Sequence, residues 1–201
     1  LTRLTRYYLI ICLPIVVGLS VLARPVINIL TAPEYHQGFR IVPLVALGGF
    51  CLGLQQRFQT GLTFYKKTNR IMIGIIISGL LNLVLNLWLI PMYGYVAAAT
   101  TTLVSYAFLL AMMVIVSRKY FVWEFPLKSL SKVVLASIIM GVIIYPIGNS
   151  LTSSNFANIV IGICVGIVIY FLMLLLLREP REEEIQVLWN LMSMILRRIP
   201  R

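Results

Sequence analysis

The sequence predicts an all-α integral membrane protein of six transmembrane helices followed by a C-terminal amphipathic helix, and three observations predict it. Of the 201 residues, 60% are hydrophobic and only 11% are charged, whereas a soluble domain carries about 25% charged residues to coat its surface. The mean hydropathy is +0.96. The apolar residues form six blocks able to cross a hydrocarbon core of about 30 Å, a span of around 20 helical residues. The basic residues collect between those blocks on alternate sides.

The blocks are 7–30, 41–65, 71–90, 96–116, 133–148 and 159–177, the fifth being the shortest. Arg3 and Arg6 precede the first block, and Lys66, Lys67 and Arg70 separate the second from the third. Arg118, Lys119, Lys128 and Lys132 separate the fourth from the fifth, and Arg178, Arg181, Arg197, Arg198 and Arg201 follow the sixth. The intervening segments 91–95 and 149–158 hold no lysine or arginine. Cytoplasmic loops carry the lysine and arginine excess. Six crossings with both ends cytoplasmic therefore satisfy the pattern, and a helix count off by one would break it.

Turn chemistry marks the helix ends: Ile90-Pro91 and Tyr93-Gly94 close the third block, and Gly148-Asn149-Ser150 the fifth. In the tail, Ile185, Leu188, Met192, Ile195 and Leu196 recur at helical spacing, with Glu182, Glu183 and Glu184 first and arginines last. Acid first and base last suits the helix dipole, so 179–201 reads as an amphipathic helix on the cytoplasmic membrane surface. A helix packed on another part of the protein is the alternative. Residues 1–178 read as the six-helix domain. The first residue is Leu1 and no signal-peptide pattern follows, which gives the expectation of a piece of a longer protein.

The net charge of +11 raises nucleic-acid binding, but the charges sit in short clusters where membrane helices are anchored, so no nucleic acid is expected. Cys12, Cys51 and Cys164 lie far apart in apolar blocks, as small packed hydrophobes do. With one histidine, His36, and no aspartate, no metal or cofactor is expected.

All but three of the 17 basic residues fall in the loops and tail. Arg40 opens the second block as an interfacial anchor. Arg24 and Arg57 lie inside blocks, where burying a guanidinium in lipid costs several kcal/mol and the residue faces a wet cavity or a partner. No acid lies within a block, since the six are Glu34, Glu124, Glu179, Glu182, Glu183 and Glu184. Gln56, Gln59, Thr60 and Thr63 share one stripe about 100° wide, with Arg57 at its edge. The stripe reads as the lining of a translocation cavity in which Arg57 meets an anion such as a phosphate. The alternative is a polar helix–helix contact with Arg57 snorkelling towards the surface. Arg24 is a second cavity candidate. Ser78, Asn82 and Asn86 on one helix, and Ala98, Thr102 and Ser105 on the next, read as helix-packing positions, as do Gly74, Gly79, Gly141, Gly162 and Gly166.

The stretch from Asn82 through Asn86, Ile90-Pro91 and Gly94 to Ala97-Ala98-Ala99 resembles the N-L-x-L-N-x-x-L-I-P-x-x-G-x-x-G-A-A pattern of polysaccharide-biosynthesis flippases. These belong to the multidrug/oligosaccharidyl-lipid/polysaccharide exporter superfamily. Ala97 stands where that family usually has glycine. Leu13-Pro14 through Leu30 with Glu34-Tyr35, and 61–70 with its paired lysines, extend the likeness to about residues 5–178. It is strongest over 61–117.

The resemblance implies one lobe of a two-lobed transporter whose other lobe is the N-terminal part of the same full-length chain. It implies alternating access that flips a polyprenyl-pyrophosphate-linked oligosaccharide across the plasma membrane of a bacterium or archaeon. Its partners would be that lobe, the lipid-linked oligosaccharide and membrane lipids. A cation or multidrug antiporter and a lipid-linked peptidoglycan-precursor flippase of the same superfamily are the nearest alternatives. The antiporter commonly uses membrane carboxylates, which these blocks lack, and positive intramembrane charge suits an anionic cargo. An enzyme of glycosyl chemistry would need acidic groups, and a passive scaffold would not need the Arg57 stripe.

Overall fold

A computed structural model describes residues 2–120, 125–150 and 155–179, with the backbone alone for 148–150. These residues form seven α-helices: α1 (Thr2–Val21), α2 (Ala23–Leu30), α3 (Val42–Phe64), α4 (Thr68–Tyr93), α5 (Tyr95–Ser117), α6 (Leu127–Ser150) and α7 (Asn155–Leu176). A 3-10 segment, Pro33–Arg40, joins α2 to α3. Among the described residues there is no strand. Five of the helices are long and apolar enough to cross a membrane by themselves. By length and composition α3 counts as a sixth only when taken together with the 3-10 segment, which it meets at 53°. The chain is a multi-pass membrane protein, and the expected all-α fold is the one observed.

The crossings differ in detail from the blocks read off hydropathy. The first is interrupted at Leu22, so its last third is a separate helix, α2. The fifth is not short: α6 begins at Leu127 and takes in Lys128 and Lys132, polar residues that end an apolar run without ending a helix. Likewise α6 continues through Gly148-Asn149-Ser150. Pro91 does not stop α4, which runs on to Tyr93. Pro91 forfeits its backbone bond and crowds the Leu87 carbonyl, yet the helix runs on, and the stop falls at Gly94, whose φ of 63° favours glycine. The tail beyond Glu179, with its expected amphipathic helix, lies outside the described residues.

Two three-helix bundles make up the lobe. In the first, α6 is the floor on which α1 and α7 rest, with Val133, Ala136, Met140, Ile144, Tyr170 and Leu174 at its centre. In the second, α5 lies between α3 and α4 around Leu54, Phe58, Leu62, Ile71, Leu109 and Met113. Lipid tails are as apolar as leucine, so such bundles are held by close approach and by hydrogen bonds rather than by escape from water. Ser78 donates to the Ser105 carbonyl at 2.7 Å, and Thr101 donates to Asn86 Oδ1 while Asn86 Nδ2 donates to Asn82 at 2.9 Å. The helix-joining role expected of these polar residues is seen in the side chains of Ser78 and Asn86, whereas Asn82, Thr102 and Ser105 make side-chain bonds within their own helices. Side chains at Gly141 or Gly162 would press within 2.7 Å of Val17 or 2.8 Å of Leu22. Gly79 is an exception to that expectation, with open space around it. It lies on the broad face of α4 where Leu83, Leu87 and Trp88 are exposed, as a lipid-facing surface should be.

One end of the lobe is closed by ions. Arg6 and Lys132, loop anchors by their sequence position, are helical residues that converge on Glu179. Arg6 Nε donates to Glu179 Oε1 at 3.1 Å and a terminal guanidinium nitrogen to the Glu179 carbonyl at 2.7 Å. Lys132 Nζ stands 3.5 Å from the other carboxylate oxygen and donates to the Arg178 carbonyl at 3.1 Å. Glu179, grouped with the tail on sequence, is thus buried in the lobe, its side chain 4% exposed and that of Arg6 5%. A left-handed Arg178, with φ of 49°, turns the chain back there: the Glu179 amide bonds the Leu174 carbonyl and the Arg178 amide that of Leu175.

Removing one member of a buried ion pair leaves the other uncompensated, at about 3–5 kcal/mol. Glu179→Gln should therefore destabilise the detergent-purified protein strongly in SDS-titrated unfolding. Arg6→Met combined with Glu179→Gln should recover much of the loss. Additive losses would show that the two groups are not coupled.

Candidate functional site

The two bundles meet where α1 crosses α3, and the crossing is shaped by Tyr8. Its hydroxyl donates to the Phe50 carbonyl at 2.9 Å, and its ring stacks on Phe50 with centroids 5.5 Å apart. Gly53, one turn along α3, is the notch that admits it, since a Cβ there would overlap the Tyr8 hydroxyl. One further turn on, the Arg57 guanidinium lies over the same ring, 5.4 Å from its centroid. A cation on an aromatic face gains from about 0.5 kcal/mol when exposed to 2 or more when desolvated. Arg57 Nε is buried and makes no hydrogen bond among the described residues. Arg57 is thus a helix–helix contact through its face and, among the described residues, an unsatisfied donor at its edge.

Beside Arg57 the polar stripe divides. Gln56, Thr60 and Thr63 are exposed on the lobe, with Gly49 open on the same face. The two threonine hydroxyls bond back to the carbonyls of Gln56 and Gln59, at 2.9 and 3.1 Å. This back-bonding lets a hydroxyl sit on a membrane helix without a partner from outside. Gln59, half-buried, accepts from Gln55 at 3.2 Å. Gln55, which the sequence stripe did not include, is 3% exposed and its carbonyl oxygen has no partner among the described residues. The stripe makes α3 less apolar than its neighbours, which is why it passes as a crossing only with the 3-10 segment.

Arg24 is elsewhere. It lies exposed on α2, beyond the end of α1 and so more than about 20 Å along the axis from Tyr8 at 1.5 Å per residue. Its guanidinium sits 4.5 Å from the Phe39 ring, a contact that holds α2 on the 3-10 segment, and Arg40 flanks the same ring at 6.0 Å. The structure brings Arg57, Gln56, Gln59, Thr60 and Thr63 together and leaves Arg24 apart. Tyr8, Gly53 and Gln55 are the residues that sequence reasoning missed. A glycine one turn before an intramembrane arginine was the available signal.

This architecture has a solved counterpart. The lobe matches the structure titled lipid II flippase MurJ, inward closed conformation, with a TM-score of 0.77 at 22% identity over 89% of this chain. The likeness is one of fold. The chain spans 38% of the MurJ chain. No family model and no curated protein matches this sequence.

The seam makes a graded prediction. Tyr8→Phe removes one hydrogen bond and should cost about 1 kcal/mol. Gly53→Val puts two methyl groups where the Tyr8 hydroxyl lies and should cost about 1–3 kcal/mol. Equal unfolding midpoints for Gly53→Val and the unmodified protein would show that α1 and α3 do not close on this notch.

Proposed function

We propose that this chain is one lobe of an alternating-access flippase that carries a polyprenyl-pyrophosphate-linked oligosaccharide across the plasma membrane, both ends of the segment being cytoplasmic. The observation that carries the reading is Arg57, an intramembrane cation held on Tyr8 with a buried, unsatisfied Nε. It borders an exposed glutamine and threonine face. An anion is the chemistry such a donor favours, because a charge-assisted hydrogen bond supplies what the buried N–H lacks. Gln56, Gln59, Thr60 and Thr63 offer neutral donors and acceptors for hydroxyl-rich cargo. In this reading the other lobe, from the same full-length chain, faces the stripe. Arg24 serves at the far side of the membrane, where cargo would enter or leave.

A lipid-linked peptidoglycan precursor is the second reading, supported by the shared fold with a lipid II flippase. Both cargoes present a pyrophosphate on an isoprenoid, so Arg57 has the same role in each. A cation antiporter fits less well. Among the described residues the carboxylates are Glu34, exposed on the 3-10 segment, and Glu179, paired with Arg6, leaving none along the crossings to attract a cation.

The full-length protein in liposomes should move a fluorescent polyprenyl-pyrophosphate oligosaccharide. Arg57→Gln should slow that movement at least about tenfold, the effect of losing one charge-assisted bond of about 1.5–3 kcal/mol, with Arg57→Lys between. Unchanged movement by Arg57→Gln would reduce Arg57 to a packing residue. Export of cationic dyes with no lipid movement would replace the flippase reading.

A further inference from the structure

Basic residues crowd one end of the lobe, and the exceptions at the other end share a single ring. The starts of α1, α4 and α6 and the ends of α3, α5 and α7 lie with the Arg6–Glu179 pair. At the opposite end the segments 91–95 and 149–158 hold no lysine or arginine. Arg24 and Arg40 depart from that pattern, and among the described residues no other lysine or arginine lies there. They belong to different elements, α2 and the 3-10 segment, and meet on Phe39. Their guanidinium carbons stand 4.5 and 6.0 Å from its centroid. Two positive charges are thereby held within roughly one Debye length of each other, about 10 Å at 0.1 M salt.

Like charges repel, and this lobe supplies nothing to offset them. Both arginines are exposed, and among the described residues neither makes an ion pair or a hydrogen bond. The carboxylate at this end is Glu34, in the first turn of the 3-10 segment, whereas Arg40 is in its last. Six residues at a rise of 2.0 Å separate them by about 12 Å along the axis, and Glu34 pairs with neither arginine. Contact with a ring engages a guanidinium through its face and leaves the N–H fork at its edge available. That fork matches a phosphate with two parallel hydrogen bonds. The depth suits a ligand borne by the membrane. Val42 opens α3 two residues after Arg40, and Ile29 and Leu30 are exposed at the end of α2. The pair therefore stands where hydrocarbon gives way to headgroups. Arg57 is a different place: it lies about 22 Å from Val42 along α3 at 1.5 Å per residue.

We infer that Arg24 and Arg40 together form a phosphate-binding site at this end of the lobe, which takes the phosphate headgroup of a lipid lying in the bilayer. Two sources supply that chemistry: a phospholipid of the surrounding leaflet, and the pyrophosphate of a lipid-linked cargo at the surface opposite Arg57. The site is separate from the Arg57 face and stands whether or not that face carries cargo. Phe39 is its positioning residue. By holding both guanidiniums before the phosphate arrives, it reduces the side-chain ordering that binding would otherwise cost.

The test uses the full-length protein in detergent, with Cys12, Cys51 and Cys164 replaced and a bimane label on Gln37→Cys, an exposed position of the 3-10 segment. Farnesyl pyrophosphate and phosphatidylglycerol are titrated separately, with uncharged farnesol as the control. A phosphate-bearing lipid should shift the bimane emission saturably, and farnesol should not. Arg24→Gln and Arg40→Gln should each weaken that binding about fivefold, and the two together about 25-fold, with helicity unchanged. Tighter binding of farnesyl pyrophosphate than of phosphatidylglycerol assigns the site to cargo, and the reverse or equal binding assigns it to leaflet phospholipid. Unchanged affinity in the doubly substituted protein, or an equal response to farnesol, would overturn the proposal. Arg57→Gln should leave the affinity read at Gln37 as it was, so the transport reading can fail by itself. A matching loss in that variant would mean that the label reports the Arg57 face, and would overturn the proposal as well.

Discussion

Tyr8 of α1 sits in the notch that Gly53 leaves on α3, with its hydroxyl on the Phe50 carbonyl. Most of what the lobe does depends on that contact. Helix α1 belongs to the bundle built on α6, and α3 to the bundle built with α5, so the Tyr8 crossing couples two units that are otherwise linked through α2 and the 3-10 segment. The hydrogen bond satisfies a phenol that hydrocarbon would otherwise leave unpaired, a cost of several kcal/mol on the scale of alkane transfer. The ring so fixed is the platform on which Arg57 lies. A charged group is thereby held at depth with no carboxylate beside it among the described residues, and its buried Nε makes no hydrogen bond there.

A second constraint works at the ends of the helices. Arg6, Lys132 and Glu179 gather the starts of α1 and α6 and the end of α7 into one buried ionic knot. Leu22 on Gly162 does the same for the far side through shape alone. Between α1 and α7 the same bundle leaves an apolar groove lined by residues such as Ile15, Gly18, Gly166 and Ile167. The two halves of the lobe thus present different chemistry: an apolar groove on one, and a glutamine and threonine face beside the half-buried Arg57 on the other.

Much of this was legible in the sequence because the bilayer is a severe judge of composition. Blocks of about 20 apolar residues, alternation of lysine and arginine, and a stripe of amides and hydroxyls on one helix each report a cost that lipid imposes locally. Helix count and the polar face of α3 follow from such local costs. Features set by contact between distant segments were not legible. Nothing in the run around Tyr8 says that it meets Gly53 rather than lipid, and Arg6 and Lys132 look like any other interfacial cation until α7 delivers Glu179 beside them. Helix ends were misjudged for a related reason. Hydropathy falls at Lys128, Pro91 and Gly148, while the helical backbone carries on through those positions. The break at Leu22 has no proline or glycine at its own position to announce it, although Pro25 follows within a turn.

The claim that matters most is that the α3 face beside Arg57 lines a water-filled path. It is tested by thiol accessibility in the full-length protein in membrane vesicles, with Cys12, Cys51 and Cys164 replaced and a single cysteine placed at Gln56, Thr60 or Thr63. A water-soluble maleimide should label these positions at least about tenfold faster than a cysteine at Leu83 on the lipid-facing side of α4, because a thiolate forms only where water reaches. Added polyprenyl-pyrophosphate oligosaccharide should slow the labelling at Gln56 and Thr60. Labelling at all three positions as slow as at Leu83 would place the stripe against protein or lipid and contradict the account.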